Sequence, residues 1–240
     1  MSREGLTIER EGAVLRARID AGPGNLFTPA MSAELAAVLR TPPDGVHVLH
    51  LSAAGDEFCL GRAPFRDGAG PLREDVDVLV DVVDGLQHTS IVTVAEVHGD
   101  AAGFGVGLAA LSDVALAAPE AQFYFPEVDE GFAPALVLAW LGGLVGRRNA
   151  FWLAATGVLL PAREARDIGL LTHVVDDRAE LGAAVDDVLQ LLLAKPPHVH
   201  AQIKKLVRLY AAVPEETRGS LAADKLAFGA LRRALAGPTS

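Results

Sequence analysis

This 240-residue sequence predicts an α/β fold of stacked ββα turns. Three observations carry that prediction. Residues 91–97 are β-branched and apolar, which marks a buried strand, and they run into a glycine-rich turn (Gly103, Gly105, Gly107) and then an apolar helix. Residues 46–52 form a second apolar run of strand length, also closed by a turn. Short strand-like segments at 113–118 and 121–125 then follow the helix. The order strand, helix, strand recurs, and it fits stacked ββα turns better than a doubly wound sheet.

The other elements follow in chain order. Residues 6–19 alternate apolar and polar about Glu11-Gly12, the pattern of a hairpin with one buried face. Ser32 is a candidate cap for a short helix at 33–39. Pro42, Pro43, Asp44 and Gly45 predict a turn. Residues 62–71 read as a loop, and apolar spacing predicts a helix over 75–86. Helices are expected at 134–144, 147–155 and from Pro161 to the C-cap Gly169, with a last strand at 172–175. The apolar stretch 132–146, broken by Pro134 and paired glycines, reads as a buried helix, too short for a bilayer span of roughly 20 residues. Amphipathic helices are expected at 179–193, 197–210 and 215–235. Lys195-Pro196-Pro197 marks a hinge, which divides the chain into a core, residues 1–195, and a helical region, residues 196–240.

Composition excludes several classes. Half of the residues are hydrophobic, enough for a real core, and the net charge is −10 with scattered cations. Nucleic-acid binding needs a concentrated basic face, so no nucleic-acid partner is expected. One cysteine, Cys59, allows no intrachain disulfide and suits a reducing cytoplasm. Without an adjacent histidine or acid it reads as a small buried hydrophobe. The polar N-terminus shows no signal peptide, so neither export nor a membrane partner is expected. His198 and His200 lack a carboxylate partner, so no metal site is expected. No Gly-x-Ser-x-Gly elbow supports a serine hydrolase.

The glycine turn carries the chemistry. A strand feeding a helix N-terminus exposes backbone N–H groups with partial positive charge. Three readings fit: a dinucleotide fingerprint, an oxyanion hole, or close packing of helix on strand. The spacing Gly103, Gly105, Gly107 departs from G-x-G-x-x-G, which weakens the first.

Three motifs in order narrow the choice: Phe58-x-x-Gly61 after one strand, His98-Gly99-x-x-x-Gly103-x-Gly105 after another, and Phe123-x-x-Pro126-Glu127. Together they resemble the crotonase (enoyl-CoA hydratase/isomerase) superfamily over nearly the whole chain. The resemblance implies a crotonase-type spiral of ββα units with a C-terminal helical region. It implies a homotrimer or a dimer of trimers, with the tail packing on a neighbour or covering the acyl pocket. The substrate it implies is an acyl-CoA, with coenzyme A part of the substrate and no separate cofactor.

By the same resemblance, the main-chain N–H groups of Arg62 and Phe104, after Gly61 and Gly103, would polarise the thioester carbonyl. Glu127 would be the acid/base. Many hydratases of the family carry a further glutamate where this chain has Gly107. Members with the second glutamate alone are typically enoyl-CoA isomerases, and that is the expected activity. Glu130, three residues from Glu127, is a candidate replacement acid, which keeps hydration open; thioester hydrolysis or decarboxylation would use the same oxyanion hole. A catalytically inactive acyl-CoA-binding subunit is the reading of another class, motivated by Gly107 and by Ala63, where the family often has Asp. Phe65, Phe104, Phe132 and Trp140 are candidate pocket walls. Lys204, Lys205 and Arg208 read as a solvent face of the tail, with the adenosine phosphates as the alternative partner. His98 and Asp113 read as structural hydrogen-bonding groups, and Asp100 as a cap of the turn or a pocket residue.

Overall fold

The computed structural model describes residues 2–3 and 5–236. The alternating run near the N-terminus forms β1 (Ser2–Arg3), β2 (Leu6–Glu11) and β3 (Val14–Ile19). The two apolar runs form β4 (Val48–Ala53) and β5 (Val92–Val97). Shorter strands follow: β6 (Ala101–Ala102), β7 (Val114–Ala117), β8 (Gln122–Tyr124), β9 (Leu160–Pro161) and β10 (His173–Val174). The helices are α1 (Pro29–Arg40), α2 (Ala69–His88), α3 (Phe104–Ala110), α4 (Ala135–Val145), α5 (Arg147–Thr156), α6 (Ala162–Asp167), α7 (Leu181–Leu193), α8 (Pro197–Ala212) and α9 (Glu215–Ala236).

Seven strands make one sheet in the order β1-β2-β3-β4-β5-β7-β10, and β6-β8-β9 make a second. The N-terminal hairpin is antiparallel, and from β3 onward the large sheet is parallel. A parallel strand needs both faces covered. On one face, Leu49, Leu51, Ala95 and Val97 meet α1, α2 and α3 in the main core. On the other, Val48, Val92, Val94 and Leu116 meet Leu181, Val185 and Leu189 of α7. Each successive strand–helix unit thus stacks on the last, and the small sheet carries β6 straight into α3.

Several expected boundaries shift, each for a local reason. The N-cap of α1 is Thr28, whose hydroxyl accepts from the Met31 N–H at 3.2 Å; Pro29 takes the first helical position. Ser32 is not the cap: it lies buried within the helix and donates to the Thr28 carbonyl at 3.0 Å. α2 starts at Ala69, six residues before the expected 75, because Pro71 falls in the first turn, where no helical N–H is required. Pro161 pairs in β9, so α6 begins one residue later. The stretch 132–146 is not buried throughout: Val137, Leu141 and Val145 face inward, while Phe132 and Leu144 are exposed.

The chain divides into two compact units, one through His200 and one from Ala201. The second contains the rest of α8 and α9. Among the described residues, no helix is long and apolar enough to cross a membrane.

Candidate active site

The first wall of the site is the turn after β4. Asn25, buried and at φ +46°, anchors it from outside. Its side chain accepts from the Ala21 N–H at 3.0 Å and donates to the Ala54 and Glu57 carbonyls at 2.7 and 2.8 Å. Phe27 then pairs with the chain on both sides of Arg62: the Phe27 N–H donates to Gly61 at 2.9 Å, and the Ala63 N–H donates to Phe27 at 2.9 Å. Because alternate peptide groups of an extended chain point to opposite sides, the Arg62 N–H is turned away from Phe27.

The second wall is the β6–α3 junction. Cys59 bridges Ala101, and the Ala102 N–H donates to the Cys59 carbonyl at 2.9 Å, which sets the two turns side by side. A Cβ at Gly61 would lie 3.7 Å from the Ala102 carbonyl oxygen. Gly103 caps α3 at φ 49°, ψ −115°, a conformation for glycine alone. Phe104 follows as the first helical residue, and its ring packs on Phe27 with centroids 5.6 Å apart. A first-turn N–H has no helical acceptor. Among the described residues, no acceptor lies within hydrogen-bonding reach of the Arg62 or Phe104 N–H.

The third wall is the single-turn helix Pro126–Val128, which carries Glu127. The Phe132 and Glu130 N–H groups both donate to the Glu127 carbonyl, at 2.8 and 3.2 Å, and fix the turn. The Glu127 side chain lies directly over Gly103: a Cβ there would fall 2.5 Å from Oε1. Glu127 Oε2 is buried with no hydrogen-bond partner among the described residues. Burial is the largest influence and lifts the Glu127 carboxyl above its ordinary range; the Arg62 charge opposes this and Glu130 adds to it. The Arg62 guanidinium stacks on the Phe65 ring, 3.5 Å from its centroid, and is held by burial below the usual arginine range while Glu127 and Glu130 pull it up.

The structure therefore gathers Gly61, Arg62, Phe65, Gly103, Phe104 and Glu127 in one place. Glu130 is exposed one turn beyond Glu127. Phe132 is 68% exposed and lines an apolar hollow of about 450 Å³ with Val128, Pro134, Leu138 and Phe151. Trp140 packs against the main core and does not line that hollow. Lys205 lines a separate hollow of about 310 Å³ inside the second unit, beside Lys225 and Phe228.

The structural readings of the other polar groups hold. The His98 ring is 3.0 Å from the Gly55 carbonyl, and Asp113 accepts from the Thr93 N–H and hydroxyl at 2.8 and 3.0 Å. Asp100 ties the turn to β8 by accepting from the Gln122 N–H at 3.0 Å. Cys59 is buried, and burial pushes its thiol up to about 12. Asn25 and Phe27 were not visible as site organisers. The only local signal is the Pro23-Gly24-Asn25 run, since Asn tolerates a positive φ.

Two N–H groups without an acceptor beside a half-buried carboxylate can polarise a carbonyl oxygen and move a proton next to it. The family model for enoyl-CoA hydratase/isomerase matches residues 9–232. The chain belongs to the enoyl-CoA hydratase/isomerase family. Among relatives, it is 28% identical over 171 residues to a peroxisomal Delta(3,5)-Delta(2,4)-dienoyl-CoA isomerase of Arabidopsis thaliana, covering 65% of this chain and 61% of that one. It is 32% identical over 178 residues to a probable enoyl-CoA hydratase, EchA14, of Mycobacterium tuberculosis, covering 72% and 69%. A solved Thermobifida fusca YX protein, provisionally assigned as an enoyl-CoA hydratase and in complex with CoA, is 30% identical with TM-score 0.82, covering 94% and 93%. The chain spans less than two thirds of the length of several curated relatives, the Arabidopsis isomerase among them. The crotonase fold expected from the three motifs is the fold observed.

Proposed function

We propose that this protein is an enoyl-CoA isomerase that moves a double bond by proton transfer through a thioester enolate. The observation that carries the reading is Glu127: one half-buried carboxylate over Gly103, with Oε2 unpartnered among the described residues and no second acid on α3, where position 107 is glycine. The thioester oxygen is received between the Arg62 and Phe104 N–H groups. Each main-chain donor of this kind contributes on the order of 10²-fold in rate. Glu127 takes a proton from the α-carbon of a 3-enoyl thioester, and the electrons of that C–H bond delocalise through the alkene into the carbonyl as a dienolate. The same proton returns to the γ-carbon, the 2-enoyl thioester forms, and Glu127 is again ionised. The raised pKa suits the first step, because a carboxyl that is less acidic accepts the proton more readily.

The CoA complex of the Thermobifida fusca relative supports an acyl-CoA as the substrate here. The arrangement expected for the assembly is a trimer or a dimer of trimers. Hydration through Glu127 and Glu130 is the second reading, favoured by the effect of Glu130 on both Glu127 and Arg62. Parallel assays of isomerisation and hydration separate the two. Isomerisation abolished by Glu127→Gln supports the proposal. Fast hydration that survives Glu127→Gln overturns it.

A further inference from the structure

Gly103, the cap of α3, and Gly107 within it are four residues apart, about one helical turn. What lies against each differs. The Glu127 carboxylate lies over Gly103, and the Val137 Cγ2 methyl of α4 lies over Gly107, 3.2 Å from where a Cβ would stand. Val137 is buried, and every residue of α3 is buried with it. The start of α3 therefore meets an acid and then, one turn on, an apolar wall.

A water molecule that is to attack carbon must be held before it is activated, and a buried water needs two to four polar partners. Glu127 offers one group. Position 107 offers no side chain, and its carbonyl already accepts from the Leu111 N–H at 3.0 Å. Val137 adds only methyl groups at the place where a second polar group would stand.

We propose that Val137, seated over Gly107, is a specificity-determining residue: it keeps the position beside Glu127 dry, so that the conjugated 2-enoyl thioester formed by proton return leaves without water adding to its β-carbon. This inference rests on the isomerase reading above. Hydration differs from isomerisation by one reactant: a water oxygen bonds to the β-carbon while one of its protons goes to the α-carbon. Isomerisation needs no water at all, only the one proton that Glu127 carries.

Two variants test this. Val137→Thr keeps the volume and supplies a hydroxyl. Gly107→Glu with Val137→Ala supplies a carboxylate and the room for it. Both are compared with the native protein for hydration and isomerisation of the same enoyl-CoA, with thermal melting and acyl-CoA binding as checks on folding. The expected result is a hydration-to-isomerisation ratio about two- to tenfold higher in Val137→Thr, the factor one neutral hydrogen bond supplies, and higher still in the double variant. A folded, ester-binding Val137→Thr with an unchanged ratio overturns the proposal, and the double variant decides it in the same way if the threonine protein does not fold. A native protein that isomerises nothing refutes the isomerase reading itself. A native protein that isomerises, with both ratios unmoved, refutes the Val137 proposal alone.

Discussion

Replacing Gly103 by alanine places one methyl group between the β6–α3 turn and the Glu127 carboxylate. The built Cβ lies 2.5 Å from Glu127 Oε1, 3.2 Å from Cδ and 3.4 Å from Oε2. Ordinary contact begins at about 3.4 Å, so the carboxylate must retreat by about 0.9 Å (3.4 less 2.5). The backbone conformation, φ 49° and ψ −115°, adds about 1–3 kcal/mol of strain for any residue with a Cβ. A displacement near 1 Å of a catalytic group costs about 10²-fold in rate. Isomerase kcat/KM of Gly103→Ala is therefore expected to fall about 10²-fold or more, with thermal melting lowered by the backbone strain. The assay is conversion of a 3-enoyl-CoA to its conjugated 2-enoyl isomer, followed by the absorbance of the conjugated thioester. Full activity in Gly103→Ala at unchanged melting temperature would refute the placement of Glu127 over the turn.

Arg62→Gln keeps the main-chain N–H but removes the charge that lowers the Glu127 pKa. In the proposed mechanism activity needs ionised Glu127 and falls as pH drops through its pKa, so the acid limb of the pH–rate profile should move to higher pH. Glu127→Gln should be more stable than the native protein above the unfolded carboxyl range. A carboxyl whose folded pKa is raised destabilises once pH climbs past its unfolded value, and denaturant titration at acid and neutral pH reads the difference. Asn25→Ala breaks three hydrogen bonds that tie the turns together and should lower stability by about 2–3 kcal/mol in the same titration, with kcat falling alongside. Cys59, buried and with its thiol pushed up to about 12, should resist an aqueous thiol reagent at pH 8 in the native protein and react once denatured.

The strands β4 and β5 were legible because uninterrupted β-branched runs have few other uses. The start of α2 was not, since Gly68, Gly70 and Pro71 carry loop composition and only helical position excuses the proline. The acid and the two glycine turns were legible because their chemistry constrains adjacent residues. Asn25 and Phe27 were not, because the partners that tie them to the turn after β4 lie 29 to 36 positions away and no local pattern encodes such pairing. Val137 over Gly107 belongs with these: thirty positions separate them, and the contact exists only once α4 packs on α3. Phe132 misled in the other direction, since an aromatic in an apolar run reads as core, yet it stands largely exposed.

The most direct measurement is isotope transfer in the native protein and Glu127→Gln. A 3-enoyl-CoA deuterated at the α-carbon is turned over in ordinary water, and the product is read by mass spectrometry and NMR. A single carboxylate that removes and returns the hydrogen predicts measurable deuterium carried to the γ-carbon in the native product, and no conversion with Glu127→Gln although the ester still binds. Conversion that persists in Glu127→Gln, or a native product with oxygen from solvent on the β-carbon, would contradict the account.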